Sequence, residues 1–361
     1  MMPLPSYLQI EPVGQCNLRC QMCPIQYRED GPPFGPLAFM KFETFVRILE
    51  EFEGLRELHL QGLGEPMMHP RFFEMVSYAV RKGIRVTTNT NATLITEKRA
   101  ELCVTSGLEC LHASLDGARP QTFEKIRVRA KFAKVLNNLE CFRDVRKRMG
   151  SGRPALHIVV VAMRQNLAEF PELVKLASRL GAEEVFVQQL CHDFGESSLP
   201  GKYREMRRFV DEQMLQGEDT ERVEYYFAAA RRAAEETGVR LRLPRIRPLA
   251  HPPGTPGRER CSWPWTGAYI SYQGYLMPCC MVSTPDRINF GATQQRFLLI
   301  HLYTFAKVQG PFGERGKNFP FSICYFPFAI SSIALDAACP EMSARAVLID
   351  DGSTPGPYPP L

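Results

Sequence analysis

The chain has 361 residues, of which 45% are hydrophobic, and a formal net charge of +5. That apolar fraction is typical of a globular protein with a sizeable core, and the length leaves room for one large domain and a smaller one. The positive charge is small for this length, so the composition indicates neither nucleic acid nor an acidic lipid surface as a partner.

The cysteine content and the termini bear on the compartment. The first residues, MMPLPSYLQI, show no basic region followed by a long apolar run, so no secretory signal is predicted. The apolar stretch 319–335 is barely long enough to span a bilayer and contains Pro320 and Pro327, so no membrane span is predicted. Twelve cysteines then favour metal or redox chemistry over disulfides, and we expect a cytoplasmic protein.

Short β-rich runs alternate with amphipathic helical stretches from residue 7 to about residue 190. Such alternation predicts βα units and a parallel sheet. Six units, with no G-x-G-x-x-G after the first strand, favour an α/β fold with a partial, TIM-like (β/α)6 barrel over a Rossmann sheet. The predicted strands are 7–13, 55–62, 84–90, 109–115, 155–163 and 183–190. The predicted helices lie at about 40–53, 70–82, 95–106, 119–148 (two helices) and 168–180.

Composition changes twice beyond the predicted barrel. A polar helical segment covers about 201–237, a Pro/Gly-rich linker precedes a cysteine-bearing segment, and periodicity is lost after about residue 296. The expected regions are the barrel (1–200), a helical bridge and linker (201–257), a small β-hairpin module (258–297) and an atypical, poorly ordered tail (298–361).

Three cysteines lie within eight residues directly after the first strand, in the stretch CNLRCQMCP. Cys16, Cys20 and Cys23 have the spacing C-x3-C-x2-C. A structural zinc site and an electron-transfer [4Fe-4S] cluster normally take four protein ligands. These thiols are therefore either three of four ligands, the last being distant, or the ligands of a cluster that keeps one iron open to a small molecule.

The stretch resembles the C-x3-C-x-Φ-C signature of the radical S-adenosylmethionine (SAM) superfamily, with Met22 at the apolar position Φ. The resemblance implies a [4Fe-4S] cluster on Cys16, Cys20 and Cys23, whose remaining iron is chelated by the amino and carboxylate groups of SAM. It implies reductive cleavage of SAM to a 5′-deoxyadenosyl radical that abstracts a substrate hydrogen, with flavodoxin or ferredoxin as electron donor. Met22 would lie against the adenine.

Two of the following strand ends resemble further motifs of this family. GLGEP resembles the GGEP turn, which implies that Gly64, Glu65 and Pro66 meet the amino group of SAM. The alternative is a turn without a ligand, because Gly and Pro are common in the turns that precede helices. TNATLIT resembles T-N-G-T-L-L, with Asn91 as the polar residue, and a capping role for Asn91 is the alternative. Ala92 stands where glycine is usual, so a required positive φ would predict a locally different turn.

The fourth strand ends in SLDG, where Ser114 and Asp116 alternate with Leu115 and so point the same way, into the barrel mouth. The resemblance implies that this serine contacts the SAM carboxylate or ribose. It also implies that Arg127, in a helix that often reads K-I-R-G, holds the carboxylate. A capping aspartate and a solvated arginine are the alternatives.

The segment CSWPWTGAYISYQGYLMPCC has the spacing C-x12-G-x4-C and resembles the auxiliary-cluster extension called SPASM, or its shorter form called twitch. The resemblance implies a second [4Fe-4S] cluster on Cys261, Cys279 and Cys280, beside a β-hairpin that turns at Gln273-Gly274. A zinc-binding or packing role is the alternative. The family closes this site with a later C-x2-C, whereas only Cys324 and Cys339 follow here. We hypothesise that the module is truncated, or that the reading frame diverges, near residue 297.

Three functions are compatible with these patterns. The first is a radical SAM enzyme of the oxidoreductase or peptide-modifying type, which acts on a peptide or protein side chain or on a small molecule. The second is a zinc-stabilised binding protein. The third is a degraded copy that binds SAM without modifying a substrate. No residue is assigned as catalytic hydrogen donor.

Overall fold

A computed structural model describes residues 4–27, 38–190, 201–216, 218–244 and 263–277. Several predictions therefore concern parts of the chain outside the described residues: most of the linker, the apolar stretch 319–335, the tail, and the cysteines Cys261, Cys279, Cys280, Cys324 and Cys339. Within the described ranges, no helix is both long and apolar enough to cross a membrane.

Nine strands form one sheet with the order β7-β6-β5-β4-β3-β2-β1-β8-β9. Every neighbouring pair is parallel except β8 and β9. The first six strands follow one another in chain order, and β7 and β9 are the sheet's edges in the described part of the chain, so the predicted partial barrel is confirmed. The strands are β1 (Tyr7–Ile10), β2 (Glu57–Leu60), β3 (Arg85–Thr90), β4 (Cys110–Ser114), β5 (Ala155–Ala162), β6 (Glu184–Gln189), β7 (Arg240–Arg242), β8 (Gly267–Ile270) and β9 (Leu276–Met277).

Helices connect the strands and cover the outer face of the sheet. The helix that precedes β5, α5, buries side chains three or four residues apart, which is one face of a 3.6-residue period. The helix that precedes β7, α8, begins at the capping carboxylate of Asp219 and ends at Gly238, whose φ of +71° suits glycine. The helices are α1 (Phe42–Glu51), α2 (Phe72–Arg81), α3 (Glu97–Thr105), α4 (Pro120–Ile126), α5 (Phe132–Arg148), α6 (Phe170–Arg179), α7 (Arg204–Gln213), α8 (Thr220–Thr237) and α9 (Trp263–Thr266).

The two faces of the sheet differ in chemistry because side chains alternate along each strand. The outer face is apolar and fully buried against the helices, for example at Leu60, Leu111 and Ile158. The inner face carries buried polar side chains from neighbouring strands: Gln9, His59, His112 and Gln188. Apolar packing on one face therefore holds the barrel together, and the interior is available for polar contacts.

Three strands extend the sheet beyond the six strands of the predicted barrel. The segment after α8, expected only to lead into the linker, forms β7 and pairs in parallel with β6. The predicted hairpin forms as β8 and β9, and its turn contains Gly274 with a φ of +88°. Because β8 pairs in parallel with β1, this hairpin lies beside the strand that leads into the cysteine stretch.

Candidate functional site

The three clustered cysteines lie on one loop, residues 11–23, at the carboxyl end of β1. Cys20 is buried, Cys16 and Cys23 are half-buried, and none of the three forms a disulfide. The backbone N–H of Cys23 donates to the carbonyl of Cys20 at 3.0 Å, which closes a tight turn between them. Two other backbone hydrogen bonds, from Arg19 to Val128 and from Gln21 to Ile126, connect this loop to the end of α4 and the residues that follow it.

The thiol groups are surrounded by hydrogen-bond donors. The Sγ of Cys16 accepts from the backbone N–H of Leu18 at 3.4 Å and from Nδ2 of Asn91 at 3.7 Å. The Sγ of Cys20 lies 4.0 Å from Nη1 of Arg127. Donors that point at sulfur stabilise thiolate over thiol, and thiolate is the form that binds metal.

Burial works in the opposite direction. It raises the pKa of the Cys16 thiol, and Glu65, Cys20 and Cys23 raise it further. It also raises the pKa of the Cys20 thiol, against which Arg127 acts. A buried thiolate cluster of this kind needs a bound cation to compensate its charge. The residues present therefore fit an iron-sulfur cluster held by Cys16, Cys20 and Cys23.

The turn after β2 is held against the cysteine loop. Glu65, at 3% exposure, accepts hydrogen bonds from the backbone N–H of Met67 at 3.2 Å, from the hydroxyl of Thr90 at 2.7 Å and from the backbone N–H of Asn91 at 2.7 Å. Its own N–H donates to the carbonyl of Gln15 at 2.9 Å. The Glu65 carboxylate thus connects the turns after β2 and β3, and both meet the cysteine loop.

Gly64 is required by this close approach. A Cβ atom at this position would lie 2.6 Å from the carbonyl oxygen of Gln15 and closer still to that of Val13. The close approach that requires glycine is therefore an approach to the backbone of the cysteine loop. Pro66 begins the 3-10 turn that follows and is buried.

Asn91 links the turn after β3 to the same loop. Its Nδ2 donates to Oδ1 of Asn17 at 2.9 Å as well as to Cys16, and its Oδ1 accepts from the backbone N–H and the hydroxyl of Thr93. The following residue, Ala92, adopts a φ of +58°. The turn therefore has the left-handed conformation even though alanine stands where the family usually has glycine. The expectation of a different turn was wrong, because the surrounding hydrogen bonds hold the strained backbone.

Asp116 and Arg127 form a buried ion pair beside Cys20. The Oδ2 atom of Asp116 lies 2.7 Å from both Nε and Nη2 of Arg127, and its Oδ1 accepts from the backbone N–H of Val161 at 2.7 Å. Burial alone would lower the pKa of Arg127, but Asp116 and Cys20 hold it above its usual value. Arg127 is therefore charged, and Asp116 directs it toward the thiol of Cys20.

The remaining predicted residues lie around this centre. Ser114 ends β4 on the same side of the strand as His112 and is half-buried. Met22 is half-buried and packs between the main core and a small apolar cluster that includes Ile126 and Met163.

A sequence profile for the radical SAM superfamily matches residues 10–177, which include all of these strand ends up to β5. Residues 10–177 belong to the radical SAM superfamily. The superfamily's [4Fe-4S] cluster and SAM are therefore confirmed as the cofactors predicted from the sequence. The auxiliary cluster on Cys261, Cys279 and Cys280 remains a prediction.

Two curated relatives of the radical SAM domain align with about half of the chain. The tungsten-containing aldehyde ferredoxin oxidoreductase cofactor-modifying protein of Pyrococcus furiosus is 29% identical over 189 residues, 51% of this chain and 51% of that protein. The mycofactocin maturase MftC of Mycobacterium tuberculosis is 30% identical over 179 residues, 49% of this chain and 43% of that protein. The chain thus spans about half the length of these relatives.

The fold is also shared with solved structures. The crystal structure of SuiB from Streptococcus suis bound to its precursor peptide SuiA superposes with a TM-score of 0.61 at 17% identity, covering 82% of this chain and 64% of that one. A second structure of SuiB, bound to S-adenosylmethionine, gives a TM-score of 0.60 at 18% identity over 83% and 66% of the two chains. At these identities the likeness shows a common fold.

Two features of the radical SAM domain were missed by the sequence analysis. Glu11 is fully buried, and it accepts from the backbone N–H of Leu63 at 2.9 Å and of Tyr272 at 3.4 Å, so it joins the cysteine loop, the β2 turn and the hairpin. The sequence signal that could have identified Glu11 is a carboxylate at the end of an apolar strand. The second is a row of histidines on the inner face of the barrel, His59, His112 and His157.

The histidine row was visible in the sequence as one pattern repeated in three strands: ELHL, CLHAS and ALHIV. Nδ1 of His59 lies 2.7 Å from the hydroxyl of Thr87, and Nδ1 of His112 lies 2.9 Å from Oδ1 of Asn89. Burial lowers the pKa of His59 to about 4 and that of His112 well below its ordinary value. These imidazoles are neutral at pH 7.

We predict that Gly64→Ala reduces the iron content of the anaerobically reconstituted protein, because the added methyl group would push the β2 turn away from the cysteine loop. Gly152→Ala is the control, since a Cβ there meets no atom within 4 Å. Iron per chain and circular dichroism are the measurements. Equal iron in the two variants would show that the close approach does not support the cluster.

We predict that Asp116→Ala lowers the free energy of unfolding by about 3–5 kcal/mol, because Arg127 would be left as a buried charge without its carboxylate. Arg127→Met should then lower the free energy of unfolding by less in the Asp116→Ala background than in the wild-type protein. Urea unfolding of the four proteins gives this coupling. The exposed Arg148, paired with Glu97 and Glu101, provides the control Arg148→Ala, which should change stability far less. Additive effects at Asp116 and Arg127 would contradict the ion pair.

Proposed function

We propose that the protein is a radical SAM enzyme that abstracts a hydrogen atom from a side chain of a peptide or protein, with SAM as radical source. The observation that carries this proposal is the presence of three cysteines without disulfides, Cys16, Cys20 and Cys23, on one loop. The other cysteines of the described ranges lie apart from this loop, on α3, β4 and α5. Three thiolates leave one iron of a [4Fe-4S] cluster open to a small molecule.

The chemistry supplied by the cluster and SAM, once bound, is reductive cleavage to a 5′-deoxyadenosyl radical. The contribution of the chain is to hold and orient both groups. Asn91 and Leu18 donate to the Cys16 sulfur, and Arg127 points at the Cys20 sulfur, so the thiolates are stabilised inside the protein. The Glu65 carboxylate fixes the turns that border them.

The residues expected to contact SAM differ in whether their side-chain atoms are already hydrogen-bonded to the protein. Glu65 and Asp116 already accept hydrogen bonds or an ion pair from protein groups at both carboxylate oxygens. We propose that they act as positioning residues for the turns that meet SAM. Half-buried Ser114 and Met22 would make direct contacts with it.

A peptide or protein substrate is supported by two of the comparisons. SuiB has been crystallised with a precursor peptide, and MftC is named a maturase. The inner face of the barrel carries histidine and amide side chains, which would offer such a substrate hydrogen-bond donors and acceptors. Flavodoxin or ferredoxin is proposed as the electron donor.

The proposal is tested by reconstituting the full chain anaerobically with iron and sulfide, reducing it with dithionite and adding SAM. We expect a brown protein that forms 5′-deoxyadenosine and methionine. Cys20→Ala should abolish both products because one cluster ligand is lost, whereas Cys103→Ala, at an equally buried thiol on α3, should retain them. Zinc without iron, and no SAM cleavage, would favour the zinc-stabilised binding protein instead.

Substrate turnover needs a separate measurement. Candidate precursor peptides are added to the reduced enzyme, and each is analysed for a change in mass. We expect one peptide class to raise the rate of 5′-deoxyadenosine formation and to lose hydrogen in step with it. Formation of 5′-deoxyadenosine with no modified peptide or small molecule across the candidates would favour a SAM-binding copy that has lost its substrate chemistry.

A further inference from the structure

A second group of metal-ligating side chains lies inside the barrel, on β4 and β5. Cys110 and His112 are two residues apart on β4 and therefore on the same face, and His157 on β5 is the register partner of His112. One ligand atom from each of the three residues lies within 4.8 Å of the others. We propose that Cys110, His112 and His157 bind a Zn²⁺ ion that is separate from the iron-sulfur cluster.

The spacing of the three side chains suits this ion. Zinc bonds of about 2.0–2.1 Å to nitrogen and about 2.3 Å to sulfur place tetrahedral ligand atoms roughly 3.3–3.6 Å apart. The existing separations are all within 4.8 Å and so exceed this by at most roughly 1.5 Å, which rotations of the side chains can close. The two imidazole rings already face each other, with centroids 5.3 Å apart and planes inclined by 42°.

The orientation of His112 supports a ligand role. Its Nδ1 lies 2.9 Å from Oδ1 of Asn89, which leaves Nε2 as the nitrogen that can bind a metal. Metal-binding histidines in proteins are usually oriented in this way by a hydrogen bond at the other ring nitrogen.

The surroundings provide room for a fourth ligand. A cavity of about 10 Å³, about enough for one water molecule, is lined by both ligand histidines, by His59 and by Gln188. Arg242 also lines this cavity and would repel a cation, but its Nε lies 2.6 Å from the Glu184 carboxylate, which offsets its charge. Two nitrogens, one sulfur and an open position are the donor set of zinc sites that bind water or a substrate atom.

The position of His112 on β4 shows where the proposed zinc site would lie relative to the SAM-binding turns. His112 precedes Ser114 by two residues, roughly 7 Å along the strand, so the zinc would lie deeper in the barrel than the cysteine loop. Its open position would take a water molecule, for which the cavity has room.

The experiment uses the full chain, reconstituted with iron and sulfide, loaded with Zn²⁺ and passed over a weak chelating resin. Zinc and iron per chain are measured for the wild type, Cys110→Ser, His157→Gln and the matched control Cys103→Ser, which removes an equally buried thiol away from the site. We expect Cys110→Ser and His157→Gln each to hold one zinc fewer than the wild type and Cys103→Ser, with iron unchanged in all four.

Two further measurements separate a ligand role from a structural one. Asn89→Ala should weaken zinc binding by about 10–100-fold in chelator competition, because it removes the group that orients His112. The difference between the zinc X-ray absorption spectra of wild type and Cys110→Ser should contain one sulfur neighbour and nitrogen or oxygen neighbours. Equal zinc in wild type and both ligand variants, or a difference spectrum without sulfur, would overturn the proposal. SAM cleavage is independent of both results.

Discussion

The site depends on the Glu65 carboxylate, which accepts hydrogen bonds from the turns after β2 and β3 at the place where both meet the cysteine loop. Parallel strands bring their carboxyl ends to one edge of the sheet, but this arrangement alone leaves the connecting turns free to move. Glu65 removes that freedom in a buried setting, where a hydrogen bond to a charged group is strong and an unmade one is costly. The turns that border the three thiols are thereby held against the cysteine loop.

Burying polar side chains inside the barrel costs free energy of folding, which the rest of the fold must offset. Buried imidazole, amide and carboxylate groups are stable only when they are hydrogen-bonded or paired. Partners are provided in pairs across neighbouring strands: His59 with Thr87 and His112 with Asn89. The apolar outer face and its helices supply the compensating stabilisation, so a barrel of this kind can keep its interior for ligand chemistry.

Much of this architecture was predictable from the sequence, because the relevant signals are local. The six strands and the helices between them follow from alternating periodicities, and Cys16, Cys20 and Cys23 follow from their spacing. The hairpin turn at Gly274 followed from a local glycine signal. Its parallel pairing with β1 did not, because it joins segments more than 250 residues apart.

Long-range partnerships were the part that the sequence could not provide. Asp116 was expected among the residues that contact SAM, yet both of its carboxylate oxygens already accept hydrogen bonds, one from Arg127 and one from the backbone N–H of Val161. These partners depend on how α4 and β5 pack, which the sequence does not show. Ala92 keeps a positive φ because hydrogen bonds from its neighbours impose it, which no propensity of alanine indicates. The histidines of β2, β4 and β5 were each visible, but their meeting depends on strand register.

The central claim, that three protein thiolates leave one iron open for SAM, is tested most directly by Mössbauer spectroscopy of the protein reconstituted with ⁵⁷Fe. Spectra are recorded for the oxidised cluster with and without SAM. We predict that one iron of the four changes its isomer shift when SAM is added and that the other three do not. Four irons that are unaffected by SAM, as expected for a cluster closed by four protein ligands, would contradict the account.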